Sequence, residues 1–331
     1  MQMFSGTAGA RVEGHLPQLD GATEWLNSPP LSPSDLRGEV VLVDFWTFTC
    51  INWLRTAPYI RAWAQKYRAQ GLVVIGVHTP EFGFERDVDS IRAVIEHRGI
   101  DYPVAVDSEY AVWTAFGNHY WPALYFVDAE GAIRHHHFGE GEYERSERMI
   151  QQLLTEAGAR DVDAALVAVE GDGDEAPADW GALGSPETYL GYERADSFAS
   201  PEGAALDAPR TYSVPPQLTL NHWALSGTWT LEPGGIALNA PGGGIAFRFR
   251  ARDVHLVMGP TAAGRAVPYR VTIDGEPPGS AHGTDVDADG RGVASERRLH
   301  QLVRQRERVS EHTFEVTFAG PGAGAYVFTF G

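Results

Sequence analysis

A second cysteine is what this chain most plainly lacks: Cys50 is the only one in 331 residues. A single thiol excludes an intrachain disulfide and a cysteine-rich zinc site, and such scarcity suits a reducing compartment. Positive charge is also short. Against 44 Asp and Glu stand 26 Lys and Arg, a net charge of −18. That balance argues against a nucleic-acid partner or an anionic membrane surface and reads as a solubility device. No apolar run approaches the ~20 residues a membrane span needs. The opening stretch MQMFSGTAGARVEGHLPQLDG has neither the basic start nor the apolar core of a secretory leader. The expectation is a soluble, cytoplasmic protein that needs no cofactor.

What is present falls into two compositions that meet near residue 160. Residues 1–39 form a segment leading into the first fold. From 40 to 158 apolar strands alternate with amphipathic helices. VVLVDFW and LVVIGVH read as strands buried on both faces, and PALYFVDAEGAIRHHHFG as a hairpin turning at Asp128–Gly131. A helix runs from Cys50 to about Gln70, one capped by Asp89 or Ser90 ends at Arg98, and another covers 146–158. This order predicts an α/β sandwich with helices on both faces. Residues 159–184 are acidic and rich in Gly, Ala and Pro, as a linker would be. From 185 to 331 the period changes to two, with Gly and Pro at the turns, which predicts an all-β sandwich of jelly-roll type.

The cysteine lies in VDFWTFTCINWLRTAPYI, residues 43–60. A strand that ends at Thr49–Cys50 and runs into a helix puts the sulfur at the helix amino terminus. Unpaired amides and the positive dipole end there favour thiolate over thiol. An ordinary thiol with a pKa of about 8.5 is only ~3% ionised at pH 7; lowering it to about 6.5 makes it roughly three-quarters ionised. A lone cysteine is as often a small buried hydrophobe.

The residues around Cys50 resemble the thioredoxin superfamily. LVDFW precedes the cysteine as in the active-site strand of that family. Asp44 falls six residues before it, Pro58 eight after, and Trp121-Pro122 stands where thioredoxins keep a cis-proline facing the thiol. The segment between LVVIGVH and Pro122 resembles the insertion of the TlpA-like and peroxiredoxin-like branch. CINWLRTAPYI, VIGVHTPEFGFE, HHHFGEGEYERSE and SPETYLGYERADSFAS, over roughly residues 10–331, are similar to the soluble region of DipZ-type proteins. In that group a thioredoxin-like domain precedes a β-sandwich similar to carbohydrate-binding modules. The resemblance implies thiol redox chemistry at Cys50, with Asp44, Trp121 and Pro122 at the site and thiols or disulfides, small or protein-borne, as partners. Trp53 departs from it, occupying the slot of the resolving cysteine. Thr47 gives the Thr-x-x-Cys of peroxiredoxins, but their proline would fall at Val43.

Two chemistries remain for one thiol: a mixed disulfide resolved by a second molecule, or a sulfenic acid recycled by an external thiol. Asp44 either tunes Cys50 or is a structural carboxylate. Arg55 is expected to be exposed. His78 ends a central strand and either reaches the site or is a satisfied strand-end histidine. Trp46, Trp53 and Trp121 form either a collar around the thiol or plain core. The competing function is a scaffold that has lost catalysis, whose β-sandwich binds a glycan or protein through Trp223, Trp229, Tyr212 and Tyr269. Two metal motifs are weaker. His135 and His137 share one face of a strand. Asp285, Asp287, Asp289, Gly290 and Glu296 fit a calcium-loop spacing, although an acidic β-hairpin is the plainer reading.

Overall fold

The computed structural model describes residues 12–262 and 264–331. The chain divides into two units, Met1–Gly171 and Asp172–Gly331.

The first unit does not wait for residue 40. Two short strands, β1 (Gly14–His15) and β2 (Glu24–Leu26), already belong to its sheet. They are followed by β3 (Val40–Trp46), β4 (Leu72–His78), β5 (Val104–Val106), β6 (Ala123–Val127) and β7 (Ala132–Phe138). The spatial order is β1-β7-β6-β3-β4-β5-β2. Strand β3 pairs parallel with β4 and antiparallel with β6. All seven of its residues, Asp44 included, are buried, the burial its near-continuous apolar run called for. Helices α1 (Ile51–Tyr67), α2 (Val88–His97), α3 (Ala111–Phe116) and α4 (Tyr143–Glu156) complete the unit. The cap of α2 is Asp87, whose carboxylate accepts from Ser90 N at 3.1 Å, two residues earlier than Asp89. Gly71 ends the turn after α1 at φ 97°, a conformation glycine adopts without steric cost.

The second unit is wholly β: β8 (Thr188–Tyr189), β9 (Arg210–Tyr212), β10 (Trp223–Leu231), β11 (Ile236–Leu238), β12 (Gly244–Arg250), β13 (Asp253–Pro260), β14 (Val267–Ile273), β15 (Arg291–Ala294), β16 (Arg298–Arg304), β17 (Glu311–Phe318) and β18 (Ala323–Phe330). One long strand makes two layers. Residues Trp223–Ser226 of β10 pair with β12, whereas Gly227–Leu231 pair with β9 and β11. The break falls at Gly227, which has φ 84°. Through it β15, β14, β17 and β12 form one layer, and β11, β18, β13 and β16 the other. Phe247 of β12 and Phe314 of β17 meet Phe328 of β18 across the gap, at centroid distances of 5.0 and 5.7 Å. This is the expected β-sandwich.

The boundary between the units falls inside the stretch 159–184, where Val167 N–H donates to Glu147 within the first unit and Gly173 O accepts from Gln301 and Arg304 within the second. One expectation changes here: the acidic segment 285–296 is not a hairpin. Strand β15 pairs with β14 and β16 with β13, so the chain crosses between layers after Ala294.

Candidate functional site

Strand β3 delivers the chain to the sheet edge, and residues 47–50 turn it into α1. Cys50 N–H donates to Thr47 O at 3.2 Å, and Leu54 N–H closes the first helical bond onto Cys50 O at 3.0 Å. Cys50 is therefore the N-cap of α1, extended at φ −75° and ψ 112°, and the first helical turn contains no acidic residue. The sulfur is half-buried and in no disulfide. It points at the Trp121 carbonyl, with Sγ 3.8 Å from the oxygen. Helix amides favour the thiolate, while a carbonyl acceptor favours the thiol, so the two neighbours pull in opposite directions.

The docking side is held from beneath. The Trp121–Pro122 bond is cis. Trp121 Nε1 donates to Thr79 O at 3.0 Å, and its ring lies 4.3 Å from that of Trp113. Asp107 accepts from the amides of Val112 and Trp113 at 2.9 and 2.8 Å and so fixes α3 and the Trp113 ring. Tyr120 and Phe138, 53% and 38% exposed, pair at 4.9 Å beside this segment. Neither was legible as a site residue.

Behind the thiol, of the two readings of the tryptophans, core holds for Trp46 and Trp53 and no collar forms. Trp46 and Trp53 are fully buried and stack on each other at 4.3 Å and 20°, leaving Trp121 as the one half-exposed indole of the three. Trp53 Nε1 donates to Asp44 Oδ2 at 3.1 Å. The residue in the resolving slot thus ties up the carboxylate itself. Burial pushes the Asp44 carboxyl up to about 7, against the Trp53 hydrogen bond, which favours the charged form. Its other oxygen, Oδ1, has no hydrogen-bond partner among the described residues. His78 is neither a satisfied strand end nor a base at the thiol. Its ring is fully buried between Phe48 and Trp46, both nitrogens lack a hydrogen-bond partner among the described residues, and burial pushes its pKa down to about 3. It stays neutral.

Arg55, expected at the surface, is 3% exposed and reaches Glu140 at 3.4 Å. The helix face it occupies is covered by the loop between β7 and α4, which spacing along α1 alone did not show.

One residue at the site escaped the sequence reading altogether. Glu85 is fully buried in the turn Gly83–Arg86. Its Oε1 accepts from Thr49 Oγ1 at 2.6 Å and from Thr49 N at 3.3 Å; its Oε2 accepts from the amides of Glu81 and Phe82 at 2.6 and 2.8 Å. Burial pushes its carboxyl up to about 7 although Thr49, Thr47 and the Phe82 amide favour the charged form. Thr47 is also fully buried and does not line an open pocket. The spacing Phe82-x-x-Glu85 is that of a capping box, a signal for the local bonds. Nothing in it pointed to Thr49, 36 residues away.

In the second unit the residues singled out for stacking are core. Trp223 and Trp229 are 0% exposed, Tyr212 3% and Tyr269 4%. Their polar ends are used internally: Trp223 Nε1 on Asp196 O, Trp229 Nε1 on Ser226 O, Tyr269 hydroxyl on Asp285 O, and Tyr212 hydroxyl accepting from Ala205 N. Inward-facing positions of a period-two strand meet the opposite layer, so no ring face remains for a sugar. The acidic loop is held by arginines instead of being open to calcium. Asp285 and Glu296 pair with Arg298, Asp289 pairs with Arg291, and Asp287 accepts from Arg291 N. In the triple-histidine strand it is the middle residue, His136, that finds an acidic partner, Glu13 at 2.6 Å. Among the described residues no group of three or more His, Cys, Asp or Glu is placed to hold a metal. No helix among them is long and apolar enough to cross a membrane.

Two family models match the chain. The AhpC/TSA family matches residues 18–136, and a model described as a thioredoxin like C-terminal domain matches 185–331, a region that is wholly β here. Protein DipZ of Mycobacterium tuberculosis strain CDC 1551 is 36% identical over 330 residues, 98% of this chain and 44% of that protein. The thiol-disulfide oxidoreductase YkuV of Bacillus subtilis is 30% identical over 141 residues, 43% of this chain and 95% of that protein. A solution structure of a thioredoxin-like protein in the oxidised form shares 30% identity, covering 43% of this chain and 96% of that one, with a TM-score of 0.40. The chain spans less than half the length of DipZ.

Proposed function

This chain belongs to the thioredoxin-fold, AhpC/TSA family of thiol oxidoreductases, and from that premise we propose that Cys50 is a one-thiol redox centre resolved by an external thiol. One observation carries the reading. A half-exposed sulfur sits at the N-cap of α1, facing the Trp121 carbonyl, while the position that would hold a resolving thiol is a buried indole bonded to Asp44.

With a disulfide substrate, the Cys50 thiolate attacks one sulfur. A new S–S bond forms to Cys50, the substrate bond breaks, and the leaving thiolate takes a proton from solvent. No second cysteine can then displace the adduct from within. An external thiolate must attack the substrate-derived sulfur of the mixed disulfide: the bond to Cys50 breaks, Cys50 leaves as the thiolate, and the substrate sulfur departs in a disulfide with the external thiol. With a peroxide, the sulfur takes one oxygen as the O–O bond breaks, and the departing hydroxide or alkoxide takes the proton. The resulting sulfenic acid condenses with an external thiol, losing water, and a second thiol completes the reduction. In this reading Asp44 serves neither route as a proton carrier, because it is fully buried and Trp53 holds one of its oxygens. A reducing compartment, the cytoplasm, suits a thiol that depends on external reductant.

Graded hydrogen peroxide, with and without a small thiol, followed by mass spectrometry of the Cys50 peptide, tests this reading. Sulfenic acid or a mixed disulfide at Cys50, reversed by excess thiol, is the expected result. An unmodified Cys50 in the folded protein under both conditions defeats the proposal. The glycan reading has no observation in its favour, since the rings it named are core.

A further inference from the structure

We propose that Glu85 is the positioning residue of the Cys50 site: its carboxylate clamps the turn that carries the sulfur to the loop after β4, and its charge, met by neutral donors only, works against ionisation of the thiol. The inference rests on the thiol-redox reading above and names a residue that the thioredoxin pattern around Cys50 does not contain.

Geometry carries it. Both oxygens of Glu85 are committed, and each to a different segment. Oε1 takes the hydroxyl and amide of Thr49, the residue before Cys50, and Oε2 takes the amides of Glu81 and Phe82. The same turn closes through Cys50 N–H on Thr47 O, so the sulfur rides on a segment whose outer edge is gripped by one buried side chain. The carboxylate is also what aligns two loops that meet Cys50 from different strands. Thr79, which receives the Trp121 indole, opens the 79–86 loop, so the clamp and the docking carbonyl share one support. A displaced loop moves both.

The charge is unusual for its surroundings. Among the described residues no Lys, Arg or His lies within ion-pair distance of Glu85. The titratable groups that face it are Glu81, from its own loop, and the phenol of Tyr110 across from it. All of its hydrogen-bond donors are neutral amides and hydroxyls. A carboxylate compensated in this way projects a negative potential onto its neighbours in a medium that screens poorly. Cys50, next in the chain to the clamped Thr49, is the group that would gain negative charge. The helix terminus thus favours the thiolate and Glu85 opposes it.

The test uses the full chain as wild type, Glu85→Gln and Glu85→Ala. Each is checked for folding by circular dichroism, then read by thiolate absorbance at 240 nm against pH and by hydrogen exchange at Thr49. In Glu85→Gln, which keeps an acceptor for Thr49 but drops the charge, the Cys50 titration is expected to move down by half a unit or more with Thr49 protection retained. In Glu85→Ala, Thr49 protection is expected to fall at least tenfold. A merely structural glutamate changes the melting temperature and leaves the thiol titration of the folded protein where it was. An unchanged titration in folded Glu85→Gln therefore overturns the proposal, and if Glu85→Ala does not fold, that variant alone decides. Neither readout needs turnover, so a Cys50 that is inert to peroxide and disulfide defeats the redox reading while leaving the Glu85 result legible.

Discussion

The second unit and the thiol end of the first treat buried acid in opposite ways, although elsewhere in the first unit Glu140, Glu147 and Asp128 do meet Arg55, Lys66 and Arg134. In the second, Asp253 is 1% exposed and lies between Arg252 and Arg304, at 2.7 and 3.5 Å, and Asp285 is paired with Arg298. Each of these carboxylates meets a guanidinium. In the first unit, Asp44 and Glu85 are fully buried at one end of the sheet and are met by an indole, the Thr49 hydroxyl and backbone amides. Nearby the unit also leaves the indole nitrogen of Trp46 and both nitrogens of His78 without a hydrogen-bond partner among the described residues. A fold that neutralises its buried acids is built for stability. One that leaves them charged only at a cost, clustered around a single reactive atom, concentrates its unfavourable electrostatics where function is sited.

Several substitutions break or sharpen that contrast. The largest effect belongs to the thiol: Cys50→Ser is expected to lower the disulfide- or peroxide-dependent rate by about a thousandfold or more, since a hydroxyl at that position has no usable anion. Equal rates in the two proteins would place the chemistry elsewhere.

Asp44→Asn comes next, through stability and pH. The Asp44 carboxyl is raised from 3.8 to about 7 in the folded state. Below pH ~4 both folded and unfolded chains hold the proton. Between about 4 and 7 only the unfolded chain ionises, so wild-type stability falls as pH rises and then levels off. The variant has no such loss. Its advantage in urea unfolding should be near zero at pH 3.5 and approach about 4 kcal/mol at pH 8. A constant difference across that range would mean that Asp44 is not desolvated as the fold implies.

In the second unit the sign reverses. Asp253→Ala removes the partner of two arginines and should destabilise by about 2–4 kcal/mol, read from the urea midpoint of that unit. A stabilised variant would erase the comparison. Trp53→Phe is smaller, about 1–2 kcal/mol for the lost hydrogen bond and a little volume. It should also drive the Asp44 carboxyl higher still, visible by carbon NMR; a carboxyl that titrates as before would deny the indole contact. The smallest expected effect is none. Millimolar calcium should leave both melting transitions within about a degree, because the acids of the 285–296 loop already carry arginine partners.

How much of this could be read in advance depended on range. The strand–turn–helix around Cys50, the buried β3 and the inward alternation of the sandwich strands are local patterns, and all appear where the sequence placed them. The facing carbonyl was legible from the Trp121-Pro122 dipeptide once the family pattern was recognised. Errors came from partners distant in the chain. Arg55 looked free because Glu140 lies in a loop closed against α1 by tertiary packing. Trp223, Trp229 and Tyr212 looked available because aromatic residues on an alternating strand have the same spacing whether they face a ligand or a second layer. The calcium spacing in 285–296 was genuine as a pattern, and Arg291 and Arg298 decided its use.

The amino-acid order alone settled that one sulfur would stand at the mouth of a helix, with an indole three residues on and no thiol to release it. Those are facts of covalent sequence and of the short-range geometry that governs helix starts. Tertiary structure decided what surrounds that sulfur: the carbonyl it faces, the indole that binds Asp44, and the glutamate that grips its turn. The carbonyl and glutamate contacts join residues 71 and 36 apart and the indole contact residues 9 apart, and only the closing of the sheet, which buries their polar atoms together and forces them to satisfy one another, could select them.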